Sequence, residues 1–198
     1  MSWLETRIRQ YEHARFTTDD NRRVFPFAWG LEHIGGPAVD SPASSAHAPD
    51  PRAFLAKWVP KTIAHSDEWF ATTPATDYHL EPNVQNGSRA SAILSFTSAI
   101  ASPWPTNNRV VAQFFPARNS GPAVVLLPNW NAKWHGQQSL CLWLTKLGIS
   151  VLRMSMPYHD SRRAAGHERA DQLVGANIGL TLQANRQAVV DTRRPTTR

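Results

Sequence analysis

Cysteine is nearly missing from this chain. Cys141 stands alone, so no intrachain disulfide can form and nothing demands an oxidising compartment. It falls inside an apolar helical pattern, where a small buried thiol is expected rather than a nucleophile. Long hydrophobic runs are missing as well. No stretch approaches the roughly 18 apolar residues that mark a membrane span. The opening MSWLETRIRQYEHARF is charged and lacks the apolar core of a signal peptide. A cytoplasmic protein without a membrane span is therefore expected.

Other absences narrow the chemistry. Gly35 and Gly36 are an isolated pair, and neither phosphate-binding glycine pattern occurs, so no nucleotide cofactor is implied. His159 and His167, with Asp160 and Glu168 beside them, match no usual zinc spacing. Neither a metal nor any other cofactor is expected. The net charge is +6, but the basic residues between Arg153 and Arg198 are interleaved with Asp160, Glu168, Asp171 and Asp191. They form no phosphate-tracking stripe with aromatics, so nucleic acid is not an expected partner.

What is present indicates a folded but loop-rich protein. An apolar fraction of 41% with eight tryptophans argues against global disorder, while 15 prolines require irregular connections. SWLE at 2–5 offers a capping box, with Leu4, Ile8 and Tyr11 following at helical spacing, and predicts a short first helix. The stretch PAVDSPASSAHAPDP is small, proline-rich and without period, and reads as a loop. Asp50 and Pro51 fit an N-cap and a first-turn proline; Phe54 and Trp58 then share a face before Pro60 interrupts. One or two short helices are expected up to about Phe70. Residues 1–90 thus read as a helical, Pro-rich leader, residues 91–194 as an α/β domain, and 195–198 as a tail.

Within that domain the period changes. AILSFTSAI at 92–100 and RVVAQFF at 109–115 read as consecutive antiparallel strands joined by ASPWPTNN. AVVLL at 123–127 is apolar at every position, as expected of a central strand covered on both faces of a parallel sheet. Leu140, Trp143, Leu144 and Leu147 then mark a helical stripe expected to lie on the sheet, with Gly148 in the left-handed position after it. ISVLRMSM at 149–156 follows at once, completing a βαβ unit. Val174, Ile178, Leu182 and Val189 predict a second sheet-covering helix beginning near Leu173.

The order of these elements, with AVVLLPNWNAKWHGQ, ISVLRMSMPYHDSRR and the helix from Leu173, resembles the N-terminal half of an α/β-hydrolase, over roughly residues 90 to 194. The fold class this implies is α/β: a partial hydrolase-like sheet of two N-terminal strands and then a βαβ unit. In that family the loop after the third strand supplies a main-chain amide of the oxyanion hole. The resemblance implies that Asn129, Trp130 and Asn131 shape it here, with the Trp130 amide as donor. Read from the residues alone, the asparagines build a turn and the tryptophans pack on a helix. Tyr158 and His159, in the loop after the fourth strand, are candidates to line a substrate or to stabilise that turn. Ser155 lacks flanking glycines, and strand alternation predicts a packed or backbone-bonded hydroxyl.

No G-x-S-x-G pentapeptide occurs anywhere in the chain, so no catalytic residue is assigned. The resemblance implies a serine-dependent ester or acyl hydrolase whose catalytic half is missing, inactive alone, and taking a small acyl or ester substrate only when completed. Whether this chain is an enzyme stays open. The competing expectation is a non-catalytic protein-interaction module, with self-association through an uncovered sheet edge.

Overall fold

The computed structural model describes residues 2–18, 25–38, 50–84 and 90–196. The stretch expected to be a loop falls largely at 39–49, outside the described residues. The first helix, α1 (Trp3–Thr18), is longer than expected, and its capping box forms: Ser2 N–H donates to Glu5 Oε2 at 2.8 Å and Glu5 N–H donates to Ser2 Oγ at 3.2 Å. In α2 (Pro51–Ala64) Asp50 accepts from the Arg52 amide at 2.9 Å. Pro60 does not interrupt this helix. The carbonyl of Ala56, which Pro60 leaves without its helical donor, belongs to an exposed residue where water can take the lost bond. A short α3 (Ser66–Trp69) follows, and Trp58 meets Trp69 edge-to-face at 5.2 Å.

Among the described residues one mixed sheet of five strands organises the rest. Its members are β1 (His79–Pro82), β2 (Ala92–Thr97), β3 (Arg109–Phe115), β4 (Ala123–Leu126) and β5 (Ser150–Met154), in the order β1-β2-β3-β5-β4. β1, β2 and β3 form an antiparallel meander, β5 pairs antiparallel to β3, and β4 pairs parallel to β5. β1 lies within the first 90 residues and carries no apolar alternation; its proline is tolerated because the strand is an edge. Side-chain alternation splits the core between the two faces of the sheet. Phe96, Val110, Ala112 and Met154 pack on one; Phe115 and Val151 meet Cys141 on the other.

Three expectations about burial need correction. β4 is not central, because β5 inserts between it and β3, leaving β4 at the edge with Val124 38% exposed. In α4 (Gln138–Lys146) the buried residues are Gln138 and Cys141, with Leu142 and Leu144 packed against the same core; of the expected stripe only Leu144 meets the sheet side, while Leu140, Trp143 and Leu147 point outward, each roughly half exposed. The reason lies on β3, whose buried Gln113 needs partners. With its amide turned to satisfy its neighbours, its oxygen accepts from Gln138 Nε2 at 3.1 Å and Trp134 Nε1 at 3.0 Å. A buried polar group outweighs a better apolar stripe because leaving it unpaired costs about 1–3 kcal/mol. Gly148 behaves as expected: at φ +81° it closes α4, and the Ile149 amide donates to the Leu144 carbonyl at 3.1 Å.

The last helix, α5 (Ile178–Arg193), starts later than Leu173 and also turns a different face inward. Asn177 caps it, accepting from the Leu180 amide at 2.9 Å. Leu180, Ala184, Gln187, Ala188 and Asp191 are buried, whereas Val174, Leu182 and Val189 are exposed. Its first turn is held by residues 28–30: Ile178 N–H donates to Ala28 O at 3.1 Å and Gly179 N–H to Trp29 O at 2.8 Å. A Cβ at Gly179 would overlap the Gly30 carbonyl. Among the described residues no helix is long and apolar enough to cross a membrane.

Gly179→Ala is expected to destabilise the fold by about 2 kcal/mol, the cost of forcing the two segments apart. Urea denaturation reads it as a lower midpoint; an unchanged midpoint would show that the close approach is not required.

Candidate functional site at the carboxyl ends of β4 and β5

Because β4 and β5 are parallel, both release the chain on one side of the sheet, through residues 127–137 and 155–177 respectively. Ligand crevices of α/β proteins open on this side. Backbone strain gathers there too. Among the described residues the non-glycine positions with positive φ are Asn131 (57°), Gln137 (66°), Tyr158 (62°) and Asp160 (50°), all in these two loops. Such conformations cost free energy and persist only where surrounding contacts enforce them.

The turn at 129–132 closes with the Ala132 amide donating to the Asn129 carbonyl at 3.0 Å, and Asn131 takes its left-handed third position. From there the turn is stapled to the second loop. The Asn131 amide donates to His159 Nε2 at 2.8 Å, Asn131 Oδ1 accepts from the Ala170 amide at 2.9 Å, and Trp130 Nε1 donates to the Ala170 carbonyl at 3.0 Å. The Arg169 guanidinium lies 4.9 Å from the centre of the Trp130 ring. Asn129 O, Asn131 N–H, Asn131 Oδ1 and Trp130 Nε1 are thus all engaged. The main-chain N–H of Trp130 has no acceptor among the described residues, and Trp130 is 44% exposed.

Tyr158 and His159 are both fully buried, so they face loop atoms rather than solvent. The Tyr158 amide donates to Asn107 Oδ1 at 2.9 Å, and its ring meets Trp104 edge-to-face at 5.5 Å. His159 Nδ1 lies 2.8 Å from the Pro157 carbonyl and so carries the proton, leaving Nε2 as the acceptor for Asn131. Burial pushes this imidazole below its usual value and keeps it neutral. Asp160 does not aim at the His159 ring. Its carboxyl is raised by burial, opposed by Arg153 4.0 Å away and by the Ser155 hydroxyl at 3.2 Å. Ser155 is buried, and its hydroxyl proton is shared between Asp160 and the His159 carbonyl at 3.1 Å, the backbone-bonded state expected of it. Burial also pushes the Cys141 thiol up, away from a reactive thiolate.

Two residues that motif reading passes over set this geometry. Arg153, fully buried on β5, donates from Nε to the Gly136 carbonyl at 2.7 Å and from Nη2 to the Lys133 carbonyl at 2.9 Å, fixing the far end of the first loop. Arg162, also fully buried, does the same for the second loop through Asn107, Ser155 and Asp191. An arginine inside the apolar strand VLRMSM was the available signal, since a buried guanidinium requires acceptors. Beside the second loop lies a cavity of about 270 Å³, lined largely by apolar groups of Phe25, Trp104, Gln172, Ala176 and Leu180. Among the described residues no group of three or more His, Cys, Asp or Glu side chains is placed to hold a metal.

Comparison with known proteins finds no family model that matches this chain and no matching curated protein.

The buried imidazole makes the staple sensitive to pH. His159 lies below the usual 6.5 when folded, so its contribution to stability is present above that value and is lost as the pH falls through the lowered folded value. Asp160 and Asp191, raised by burial, act in the opposite sense and add stability as the pH falls through their own values. His159→Gln keeps an acceptor but does not titrate, so comparison with it isolates the imidazole. In thermal melts between about pH 8 and about pH 5, the natural protein should lose more stability than the variant. Equal losses would contradict a neutral His159 acceptor.

Proposed function

We propose that this chain carries the oxyanion-binding part of an α/β-hydrolase-like acyl-hydrolase site and does not supply its nucleophile. The observation that carries this reading is the Trp130 main-chain N–H, which has no acceptor among the described residues. It stands at the carboxyl end of a parallel strand, in a turn whose neighbouring polar groups are engaged and whose backbone is held in place by a second loop. A fixed amide without a protein acceptor is what a developing oxyanion requires, because its orientation is set before the substrate arrives. The antiparallel strands leading into a parallel β4-α4-β5 unit agree with the same reading. The cavity beside Trp104 and Leu180 is apolar enough to take a small acyl chain.

Asn131 is not the free donor in this arrangement, since its amide is bonded to His159. The turn therefore offers an oxyanion the Trp130 amide, with Asn129 and Asn131 shaping the backbone around it. No G-x-S-x-G elbow lies in these residues, and Ser155 is buried and bonded. These residues by themselves are accordingly inert toward esters, and a small acyl substrate would be processed only with a nucleophilic serine from outside them.

Two measurements test this. A fluorophosphonate probe should label no serine stoichiometrically; stoichiometric labelling abolished by mutating one serine would overturn the reading. In ¹⁵N-labelled protein, millimolar methylphosphonate should shift the Trp130 main-chain amide and leave that of Asn131 in place. A titration that leaves Trp130 unmoved removes the oxyanion assignment.

A further inference from the structure

Outside the two loops, residues of α2, α3 and α5 line a cavity of about 340 Å³, near the small end of the range for ligand pockets. Spacing on α2 sets one wall: Trp58, Lys61 and His65 recur at i, i+3 and i+7 and so share a face of the chain there. Trp69 of α3 stands at 86° to Trp58 with ring centres 5.2 Å apart, so the two half-buried indoles make a corner. Arg186 of α5 lines the same space.

Arg186 is only partly used by the fold. Its Nε donates to the Trp69 carbonyl at 2.6 Å, and its guanidinium lies 4.0 Å from the centre of the Trp69 ring. These contacts pin α3 to α5, and Arg193 repeats the anchor on the Phe70 carbonyl at 2.9 Å. Neither Nη1 nor Nη2 of Arg186 has an acceptor among the described residues. Burial pushes this guanidinium below its ordinary value, with no described carboxylate near enough to oppose the shift. Lys61 is exposed and meets no described carboxylate either. Glu68, the carboxylate among the lining residues, is turned to His65 Nδ1 at 3.3 Å.

We propose that this corner binds a small planar aromatic carboxylate, with its ring against Trp58 and its carboxyl group held by the Arg186 Nη groups and the Lys61 ammonium. A guanidinium fork and a carboxylate are matched planes, and an aromatic ring finds indole surface to stack on. With His65 neutral, Lys61 and Arg186 against Glu68 leave a single positive charge, which a monoanion balances. An ammonium ligand would suit the two indoles but would face both cations. None of these residues belongs to the oxyanion turn or its staple, so the proposal goes beyond the acyl-hydrolase reading and does not depend on it.

Titrating the ¹⁵N-labelled full chain with 2-naphthoate tests this by NMR. The indole N–H resonances of Trp58 and Trp69 should move along one saturable curve while that of Trp130 stays in place. 2-Naphthamide keeps the rings without the charge and should bind about tenfold more weakly. Cyclohexanecarboxylate keeps the charge without the ring and should also bind more weakly. Lys61→Gln, at an exposed position, should weaken naphthoate about threefold and leave the amide unchanged. Arg186→Lys, checked for native circular dichroism, keeps the charge but loses the fork, and should likewise weaken naphthoate alone. Equal affinity for naphthoate and naphthamide, tighter binding of naphthyltrimethylammonium, or a Lys61→Gln variant that binds naphthoate as well as the natural protein would each overturn the proposal. So would Trp58 and Trp69 resonances that stay in place at millimolar naphthoate.

Discussion

The buried guanidinium of Arg162 is the interaction on which most of this molecule depends. It donates from Nε and Nη2 to the Asn107 carbonyl at 3.0 and 2.8 Å, from Nη1 to the Ser155 carbonyl at 3.0 Å, and from Nη2 to Asp191 at 2.7 Å. Ser98 donates to the other oxygen of Asp191 at 2.7 Å, and Asn107 reaches Gln187 at 2.8 Å. One cation thus joins the end of β2, the turn before β3, the loop after β5 and the inner face of α5. Taking two charges out of water is costly, and such a pair is kept only when its remaining donors and acceptors are met. Removing one partner would leave the other buried and uncompensated, at about 3–5 kcal/mol.

The candidate site inherits its shape from that network. Asn107 binds the Tyr158 amide, which holds Tyr158 in its left-handed conformation and places His159 one residue later beneath Asn131. Arg153 anchors the other loop from below through Lys133 and Gly136. Between these two anchors the Asn129–Asn131 turn has little freedom left, so the direction of the Trp130 amide follows from contacts made well away from it. A rigid donor of this kind needs no reorganisation when charge develops on a bound carbonyl.

Much of the element pattern is legible in the sequence, because local signals dictate it. The bounds of β3, the Ser2 capping box, the Asp50 cap and the Gly148 stop each rest on a few adjacent residues. The faces of α4 and α5 are not legible from periodicity. Their inward sides carry Gln138, Gln187 and Asp191, whose partners lie on β3, in the turn at 105–108 and in the loop after β5. Most of each apolar stripe therefore points outward, Leu144 being the α4 member that packs against the core. AVVLL could not reveal its place in the sheet, since that place is set by where β5 inserts. The site divides similarly. The position of the NWN turn is local information, whereas its staple to His159 and Ala170 spans 28 and 39 residues of chain.

The central claim is that buried arginines hold the two loops as firmly as the sheet itself. Native-state hydrogen exchange tests this most directly, residue by residue. The amides of Asn131, Tyr158 and Ala170 should exchange only through global unfolding, with the same free energy as those of β3 and β5. Exchange of these three amides through local opening, while the strands stay protected, would contradict it.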